Sequence, residues 1–240
     1  MIPKANYHTH TKYCDGKNTV AEMTKAAFDK GFTHLGFSGH GYTDFDESYC
    51  MSRENIQNYL RDVAAVKAEY AGKMEVYAGV EQDCFSTEPT DIYDYVIGST
   101  HYVYKDGLYH TVDESEEKTN AIVREFFGGD FLKYAAAYFE AEAQVVAKTK
   151  PDIIGHFDLI SKFNEGNKYF DMDEKAYGFL ALEAMEEARD LLDGDEKIQK
   201  AYGSYVATLY AAAKGILDCL TAGDWDGAYQ AAQHIDGRFS

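Results

Sequence analysis

Short apolar runs alternate with amphipathic stretches over about the first 160 residues of the chain. The runs read as β-strands, and each ends on or beside a His or Glu: residues 6–10, 35–40, 76–81, 95–101 and 153–156. Between them, residues 19–30 have helical apolar spacing and stop at Gly31, and Ser52 is a suitable N-cap for a helix that runs to about Tyr70. This alternation predicts parallel strands joined by crossover helices.

The segments between these elements also have readable patterns. Residues 41–50 are rich in Tyr, Phe and Asp and are expected to form a loop that can cover a site. Residues 104–113 are predicted to form a second loop, which a helical region follows, clearest over residues 131–148. Beyond about residue 170 the pattern is that of amphipathic helices, over residues 174–192, 197–220 and 224–234.

Length and charge restrict the class of protein. A chain of 240 residues is long enough for a sizeable core, and α/β barrels of this length are commonly one domain, so we expect a single domain over residues 1–240. The formal net charge of -18 argues against nucleic acid and anionic membranes as partners. If the substrate is a phosphate, bound cations must supply the local positive potential.

The cysteines and the hydropathy point to a reduced, cytoplasmic protein. Cys14, Cys50, Cys84 and Cys219 are far apart and form no CxxC pair, which disfavours a disulfide framework or a thiolate zinc site. The first ten residues contain no apolar run of the kind that signal peptides have, and no later segment is apolar for long enough to span a bilayer. A cytoplasmic location is the expectation, and the oligomeric state is left open.

Residues that bind metals recur at the predicted strand ends. His8 and His10 alternate and can point into one pocket; His40, Glu81, His101 and His156 fall at the carboxyl ends of strands, where barrel enzymes gather their site residues. Imidazole and carboxylate suit zinc, manganese or iron, and a Glu can bridge two cations. A lone His is more often a core residue, and that interpretation is kept for His34, His110 and His234.

An ordered set of short motifs contains these residues: His8-Thr9-His10, Asp15-Gly16, Ser38-Gly39-His40, Gly79-Val80-Glu81, Gly98-Ser99-Thr100-His101 and Gly155-His156-Phe157-Asp158. Taken together, the set resembles the PHP (polymerase and histidinol phosphatase) family over roughly residues 5–170. Residues 93–102, Val112-Asp113 and residues 156–160 resemble its histidinol-phosphate phosphatase branch more closely.

The resemblance implies a fold and a ligand set. The fold is a distorted (β/α)7, TIM-like barrel with two to three divalent metal ions (Zn, Mn or Fe), with the ligand-bearing strands in residues 1–170. By similarity, His8 and His10 bind a first metal, His101 and His156 a second, and Glu81 bridges them. Asp15 and His40 hold a third. A hydroxide between the first two metals attacks phosphorus, and the general acid is not identified.

The last third of the chain departs from the family pattern. Family members end with a further strand that carries Asp-x-His, and no such motif follows His156. The last strands are therefore expected to be missing and residues 171–240 to be a mainly helical tail. Only His234-Ile235-Asp236 offers the same pair of residues, in reversed order. Either the metal site is short of ligands or the tail supplies them unconventionally.

For the substrate, the pattern indicates a small anionic phosphate ester. Lys162 is a candidate phosphate contact, although a solvated surface Lys is an equal alternative, and for Arg53 and Lys105 the solvated alternative leads. The function expected is a metal-dependent phosphomonoesterase that hydrolyses L-histidinol phosphate in histidine biosynthesis. The alternatives are an esterase for another small phosphate ester and a degenerate metal-binding scaffold without catalysis.

Overall fold

The structure is a computed structural model in which residues 4–192 are described. The chain divides into two compact units, one of Met1–Val112 and Lys148–Leu159, the other of Asp113–Ala147 and Ile160–Ser240. The single domain expected over the whole chain stays a prediction. No helix among the described residues is long and apolar enough to cross a membrane.

The described elements alternate strand and helix in the first half of the chain. The strands are β1 (Ala5–Asn6), β2 (His34–Phe37), β3 (Glu75–Asp83), β4 (Tyr95–Ser99), β5 (Tyr102–Lys105), β6 (Leu108–Thr111) and β7 (Ile153–Ile154). The helices are α1 (Val20–Asp29), α2 (Arg53–Glu69), α3 (Glu116–Phe126), α4 (Phe131–Ala143), α5 (Val145–Thr149) and α6 (Lys175–Leu192), with a 3-10 turn at Leu159–Ser161.

The first unit contains a five-stranded parallel sheet in the order β1-β2-β3-β4-β7. The register places Leu35 opposite Val76 and Glu81 opposite Ile97. Helices α1 and α2 are the crossovers on either side of β2, as the alternation predicts, whereas residues 84–94 connect β3 to β4 without a helix. Parallel strands with helical crossovers confirm the predicted α/β class.

Both predicted helices begin at an N-cap residue, of which only Ser52 was predicted. The Thr19 side chain accepts the Glu22 N–H, and the Glu22 carboxylate accepts from the Thr19 N–H, which completes a capping box at α1. The Ser52 side chain accepts the Asn55 N–H at the start of α2. Gly31 ends the first helical segment with a positive φ of 76°, a conformation that glycine adopts without strain.

Two tyrosines anchor the interior of the sheet. The Tyr59 hydroxyl, on α2, donates to the carbonyls of Phe37 at 2.9 Å and Gly79 at 2.7 Å. The Tyr95 hydroxyl donates to the carbonyls of Tyr7 and Phe37 at 2.5 and 3.0 Å. These bonds tie neighbouring strands together by their carbonyl groups, around a core to which Val20, Val63, Val76 and Val80 contribute.

Residues 104–113, predicted to be a loop, instead contribute to a hairpin, and that prediction was wrong. Strands β5 and β6 pair antiparallel, with Lys105 opposite Leu108. Asp106 and Gly107 form the turn with φ values of 52° and 81°. Positive φ at both turn positions matches the right-handed twist of the strands, and Asp-Gly is a favoured sequence for such a turn. Asp106-Gly107 was therefore the feature of the sequence that could have predicted the hairpin.

In the second unit, helices predominate. Ser115 caps α3, and Asp130 caps α4. The predicted helical region 131–148 is interrupted at Gln144, between α4 and α5. Helix α6 confirms the first predicted helix of the tail, and it packs on α4, where the Phe139 and Tyr177 rings lie 5.5 Å apart. The other two predicted tail helices, His234, Asp236 and Cys219 lie outside the described residues. Within the described part of the chain, Cys14, Cys50 and Cys84 form no disulfide.

Gly79→Ala is expected to destabilise the protein by about 1–3 kcal/mol, because overpacking displaces side chains. A Cβ at Gly79 would lie 2.2 Å from the Tyr95 ring. The matched control is Gly178→Ala in α6, where no atom lies within 4 Å of the added Cβ, and it should stabilise by about 0.5–1 kcal/mol. Urea unfolding measures both. Equal unfolding midpoints for the two variants would contradict the packing argument.

Candidate metal centre

The Glu81 carboxylate lies at the centre of a cluster of imidazoles. Glu81 is near the end of β3, pairs across a parallel bridge with His40 and is 1% exposed. Its two oxygens face different partners. Oε2 lies 3.7, 3.3 and 3.1 Å from ring nitrogens of His8, His10 and His40. Oε1 lies 3.2 and 3.1 Å from Nε2 of His101 and His156, and it accepts the Ser99 hydroxyl at 2.9 Å.

His8 and His10 reach this cluster from beyond a strand, not from within one. β1 ends at Asn6, earlier than the predicted strand 6–10. The extended path continues, since the Ser38 N–H donates to the Thr9 carbonyl at 3.0 Å. The His8 and His10 rings therefore still share a face, with centroids 4.9 Å apart.

Asp15 joins the cluster on the side of His10 and His40. Its Oδ1 lies 2.8 Å from Nδ1 of His10, and its Oδ2 lies 3.7 Å from Nε2 of His40. Hydrogen bonds from these two rings hold the pKa of Asp15 well below its ordinary value. All seven residues expected to bind metal therefore converge: His8, His10, Asp15, His40, Glu81, His101 and His156.

Without a cation, protons balance the buried charge of the cluster. Burial raises the pKa of Glu81, but the close His10, His101 and His156 rings outweigh it and hold the pKa well below the ordinary value. Burial likewise lowers the pKa of His101, yet its bonds to Asp83 and Glu81 raise it to about 10. For His10, bonds to Asp15, Cys14 and Glu81 overcome burial and raise the pKa to about 12. The buried carboxylate thus favours positive charge around it.

The donor set fits divalent cations. Two ligands that each lie about 2.1 Å from one zinc ion are about 3.0–3.4 Å apart, and most Glu81 contacts to imidazole fall near that separation, from 3.1 to 3.3 Å. Glu81 Oε2 and His40 Nδ1 are buried and have no partner with hydrogen-bond geometry. A cation satisfies both atoms at once, because a carboxylate oxygen and an imidazole lone pair are each ligands.

Several residues around the cluster were not identified from the sequence. Asp83 accepts from His101, and Ser38 lies 2.8 Å from Nδ1 of His8. Asp83 is two residues after Glu81, a spacing that places both on one face of a strand, which was the available signal. The Tyr49 ring lies 4.7 Å from the His40 ring, so the predicted loop 41–50 does lie against the cluster.

The remaining sequence candidates lie outside the cluster. His34 stacks on Tyr77, and His110 is bonded to the Lys105 carbonyl on the hairpin, which supports the structural interpretation of both. Arg53 pairs with Glu88 at 2.7 Å. Lys162, in the second unit, donates to the carbonyl and to Oδ2 of Asp113 at 3.0 and 3.1 Å. Its role as a phosphate contact stays a prediction.

Comparison with known sequences gives a consistent family. The PHP domain family matches residues 6–208. The chain is 28% identical over 232 residues to the histidinol-phosphatase of Bacillus subtilis, which covers 85% of this chain and 86% of that protein. It is 30% identical over 176 residues to a Deinococcus radiodurans protein described as a probable histidinol-phosphatase, covering 68% of this chain. The match spans 64% of the Deinococcus protein, less than two thirds of its length.

Two solved structures are similar in fold. A Listeria monocytogenes protein assigned as a histidinol phosphatase has a TM-score of 0.66 at 22% identity and covers 88% of this chain and 92% of its own. The histidinol phosphate phosphatase of Lactococcus lactis, solved with zinc, L-histidinol and phosphate, has a TM-score of 0.57 at 16% identity, over 87% of this chain and 81% of its own. The likeness confirms the expected TIM-like α/β fold.

The affinity of the metal-free protein for zinc is expected to decrease as the pH is lowered from about 8 to about 6, because imidazoles must lose a proton before they bind a cation. The raised pKa values of His10 and His101 mean that both rings hold that proton throughout this range. Each proton displaced changes the affinity about tenfold per pH unit. Titration calorimetry at both ends of the range measures it, and an affinity independent of pH would contradict the ligand assignment.

Proposed function

The chain belongs to the PHP domain family, and from that premise we propose that it is a metal-dependent phosphomonoesterase that hydrolyses L-histidinol phosphate to L-histidinol and phosphate. The observation that carries the proposal is that the two carboxylate oxygens of Glu81 face different sets of imidazoles. One carboxylate oxygen faces His8, His10 and His40, and the other faces His101 and His156. A carboxylate so placed suits a bridge between two cations.

In the proposed site, two to three cations of Zn, Mn or Fe are held. His8 and His10 would hold the first cation and His101 with His156 the second, with Glu81 between them. Asp15 and His40 would hold the third. Divalent cations at such a site lower the pKa of a water molecule and neutralise developing charge on a phosphoryl group.

The protein's own side chains make this site attractive to a phosphate. The ligand set has only two carboxylates, Glu81 and Asp15, and neutral imidazoles add no charge. Two or three divalent cations therefore leave the site with net positive charge, in a chain whose formal net charge is -18. The Tyr49 ring lies against the His40 ring, with centroids 4.7 Å apart. The burial of Glu81 strengthens its interactions, since the local dielectric is low.

The substrate is proposed from the relatives. The Bacillus subtilis protein is named a histidinol-phosphatase, and the Lactococcus lactis structure holds zinc, L-histidinol and phosphate. Both support a small phosphate ester as the substrate of this chain and a role in histidine biosynthesis.

Metal analysis of the purified protein, together with phosphate release from L-histidinol phosphate, tests the proposal. We expect bound divalent metal and the highest kcat/KM on this ester within a panel that includes O-phosphoserine and p-nitrophenyl phosphate. A higher kcat/KM on another ester would overturn L-histidinol phosphate as the proposed substrate. Bound metal without any phosphate release would favour the scaffold without catalysis.

Glu81→Gln is expected to remove bound metal and to lower kcat/KM at least about 100-fold, because metal ions contribute several kcal/mol of transition-state stabilisation. Lys162→Ala is the comparison variant: it removes a positively charged side chain that pairs with Asp113, and it should retain the metal content. Elemental analysis and steady-state kinetics measure both. Equal, mild losses in the two variants would show that the cluster is not the catalytic centre.

The third cation site is expected to be the weakest. Asp15 is about half exposed, and His10 turns one nitrogen to Asp15 and the other to Glu81, so a neutral ring can serve only one of the two sites as a ligand. A cation with few protein ligands keeps several waters. Anomalous diffraction should show lower occupancy at Asp15 and His40 than beside Glu81, and activity should rise with added Mn²⁺ or Zn²⁺. Full occupancy there without added metal would contradict this order.

A further inference from the structure

Asp83 is a buried carboxylate held against His101. It follows Glu81 by two residues on β3 and is 2% exposed. Its Oδ2 accepts the main-chain N–H of His101 at 2.9 Å and lies 3.1 Å from Nδ1 of the same residue. Its Oδ1 accepts the Phe85 N–H at 2.8 Å. Both carboxylate oxygens are engaged, so the orientation of the group is fixed.

This contact decides which nitrogen of His101 carries a hydrogen. An ionised carboxylate only accepts hydrogen bonds, so Nδ1 must donate to Asp83. In a neutral imidazole the lone pair is then on Nε2. That nitrogen lies 3.2 Å from Glu81 Oε1 and 3.2 Å from Nε2 of His156. The lone pair therefore faces the point where those two ligand atoms converge.

On the opposite side of the cluster the equivalent constraint is weaker. Nδ1 of His10 lies 2.8 Å from Asp15 Oδ1, but Asp15 is about half exposed and is itself a proposed ligand of the third cation. Nδ1 of His8 lies 2.8 Å from the Ser38 hydroxyl, which both donates and accepts and is compatible with either tautomer of His8. A buried carboxylate partner, in contrast, selects one tautomer and raises the basicity of the nitrogen that binds metal. Asp83 is such a partner for His101.

We propose that Asp83 is a positioning residue that makes the cation site of His101 and His156 the tighter of the two sites that share Glu81. The inference rests on the metal centre of the proposed function, but it concerns metal affinity and is independent of the substrate. Asp83 acts through His101 alone, by fixing its tautomer and the orientation of its ring.

Calorimetric zinc titration of the chelator-treated protein tests the proposal. Asp83→Asn can turn an amide N–H toward Nδ1, and the tighter zinc affinity should fall about 10–100-fold. Asp94→Asn is the matched control, because Asp94 also accepts a main-chain N–H, from Ala78 at 2.9 Å, but it precedes β4 and does not contact the cluster. It should bind zinc as the wild type does. An unchanged tighter affinity in Asp83→Asn would overturn the proposal.

A double variant separates positioning from general structural damage. If Asp83 acts through His101, Asp83→Asn causes no further loss of zinc affinity in a His101→Gln background. A further loss equal to that in the wild-type background would overturn the proposal. Circular dichroism verifies that each variant is folded.

Nitrogen-15 NMR of the zinc-loaded wild type provides a test that needs no variant. Nδ1 of His101 must carry hydrogen while Nε2 binds zinc, and zinc on Nδ1 would overturn the proposal. Failure of the wild type to release phosphate would overturn the proposed function and would leave these zinc measurements to decide on Asp83.

Discussion

The burial of the Glu81 charge is the constraint on which the rest of the site depends. An ionised carboxylate taken out of water costs several kcal/mol unless opposite charge and hydrogen bonds compensate it. Here the compensation comes from imidazoles that belong to distant parts of the sequence, His10, His40 and His101 among them, and from the Ser99 hydroxyl. These groups meet only when the strand ends are side by side. The fold therefore brings together the groups that balance the charge of Glu81. In the metal-free cluster, protons on the imidazoles balance that charge; in a metal-bound cluster, coordinated cations would do so.

The parallel sheet meets this constraint by fixing the spacing of the strand ends. Neighbouring strands lie about 4.8 Å apart, so side chains at adjacent carboxyl ends are within reach of one shared group. The interior is tied down away from the cluster, where the Tyr59 and Tyr95 hydroxyls bind main-chain carbonyls of different strands. Gly36 and Gly79 leave room for the Tyr95 ring, since an added Cβ at either position would approach it within 2.3 Å. Rigid strand spacing in turn holds the ligands ready before a cation arrives.

Sequence patterns predicted the helices and strands, which depend on the local order of residues. They missed contacts that depend on how neighbouring strands pair. The cap at Ser52 and the strands that precede His40 and His101 follow from residue type and period, and the structure has them, with the strands ending at Phe37 and Ser99. The role of Asp83 depends on the pairing of β3 with β4, which sets it opposite Ser99 and beside His101. The spacing within β3 shows that Glu81 and Asp83 share a face, but it does not identify the partner of Asp83 on the neighbouring strand. The hairpin after His101 was missed although its signal is local, since Asp106-Gly107 lies between two short runs that each contain Tyr.

The acidity of the chain is compatible with the proposed affinity for a phosphate, because the net charge and the bound cations would act over different distances. The net charge of -18 is spread over the whole chain, and at physiological salt its field decays within about 8 Å. At the proposed site, divalent cations held by neutral imidazoles and two carboxylates would act at contact distance, where the low dielectric around the buried Glu81 screens them least. A phosphate ester that diffuses to the site would therefore meet a potential set by the cations and not by the net charge. Loss of the cations would remove that positive potential, because the protons on His10 and His101 then balance the charge of the neighbouring carboxylates Glu81, Asp15 and Asp83 and leave little attraction for an anion.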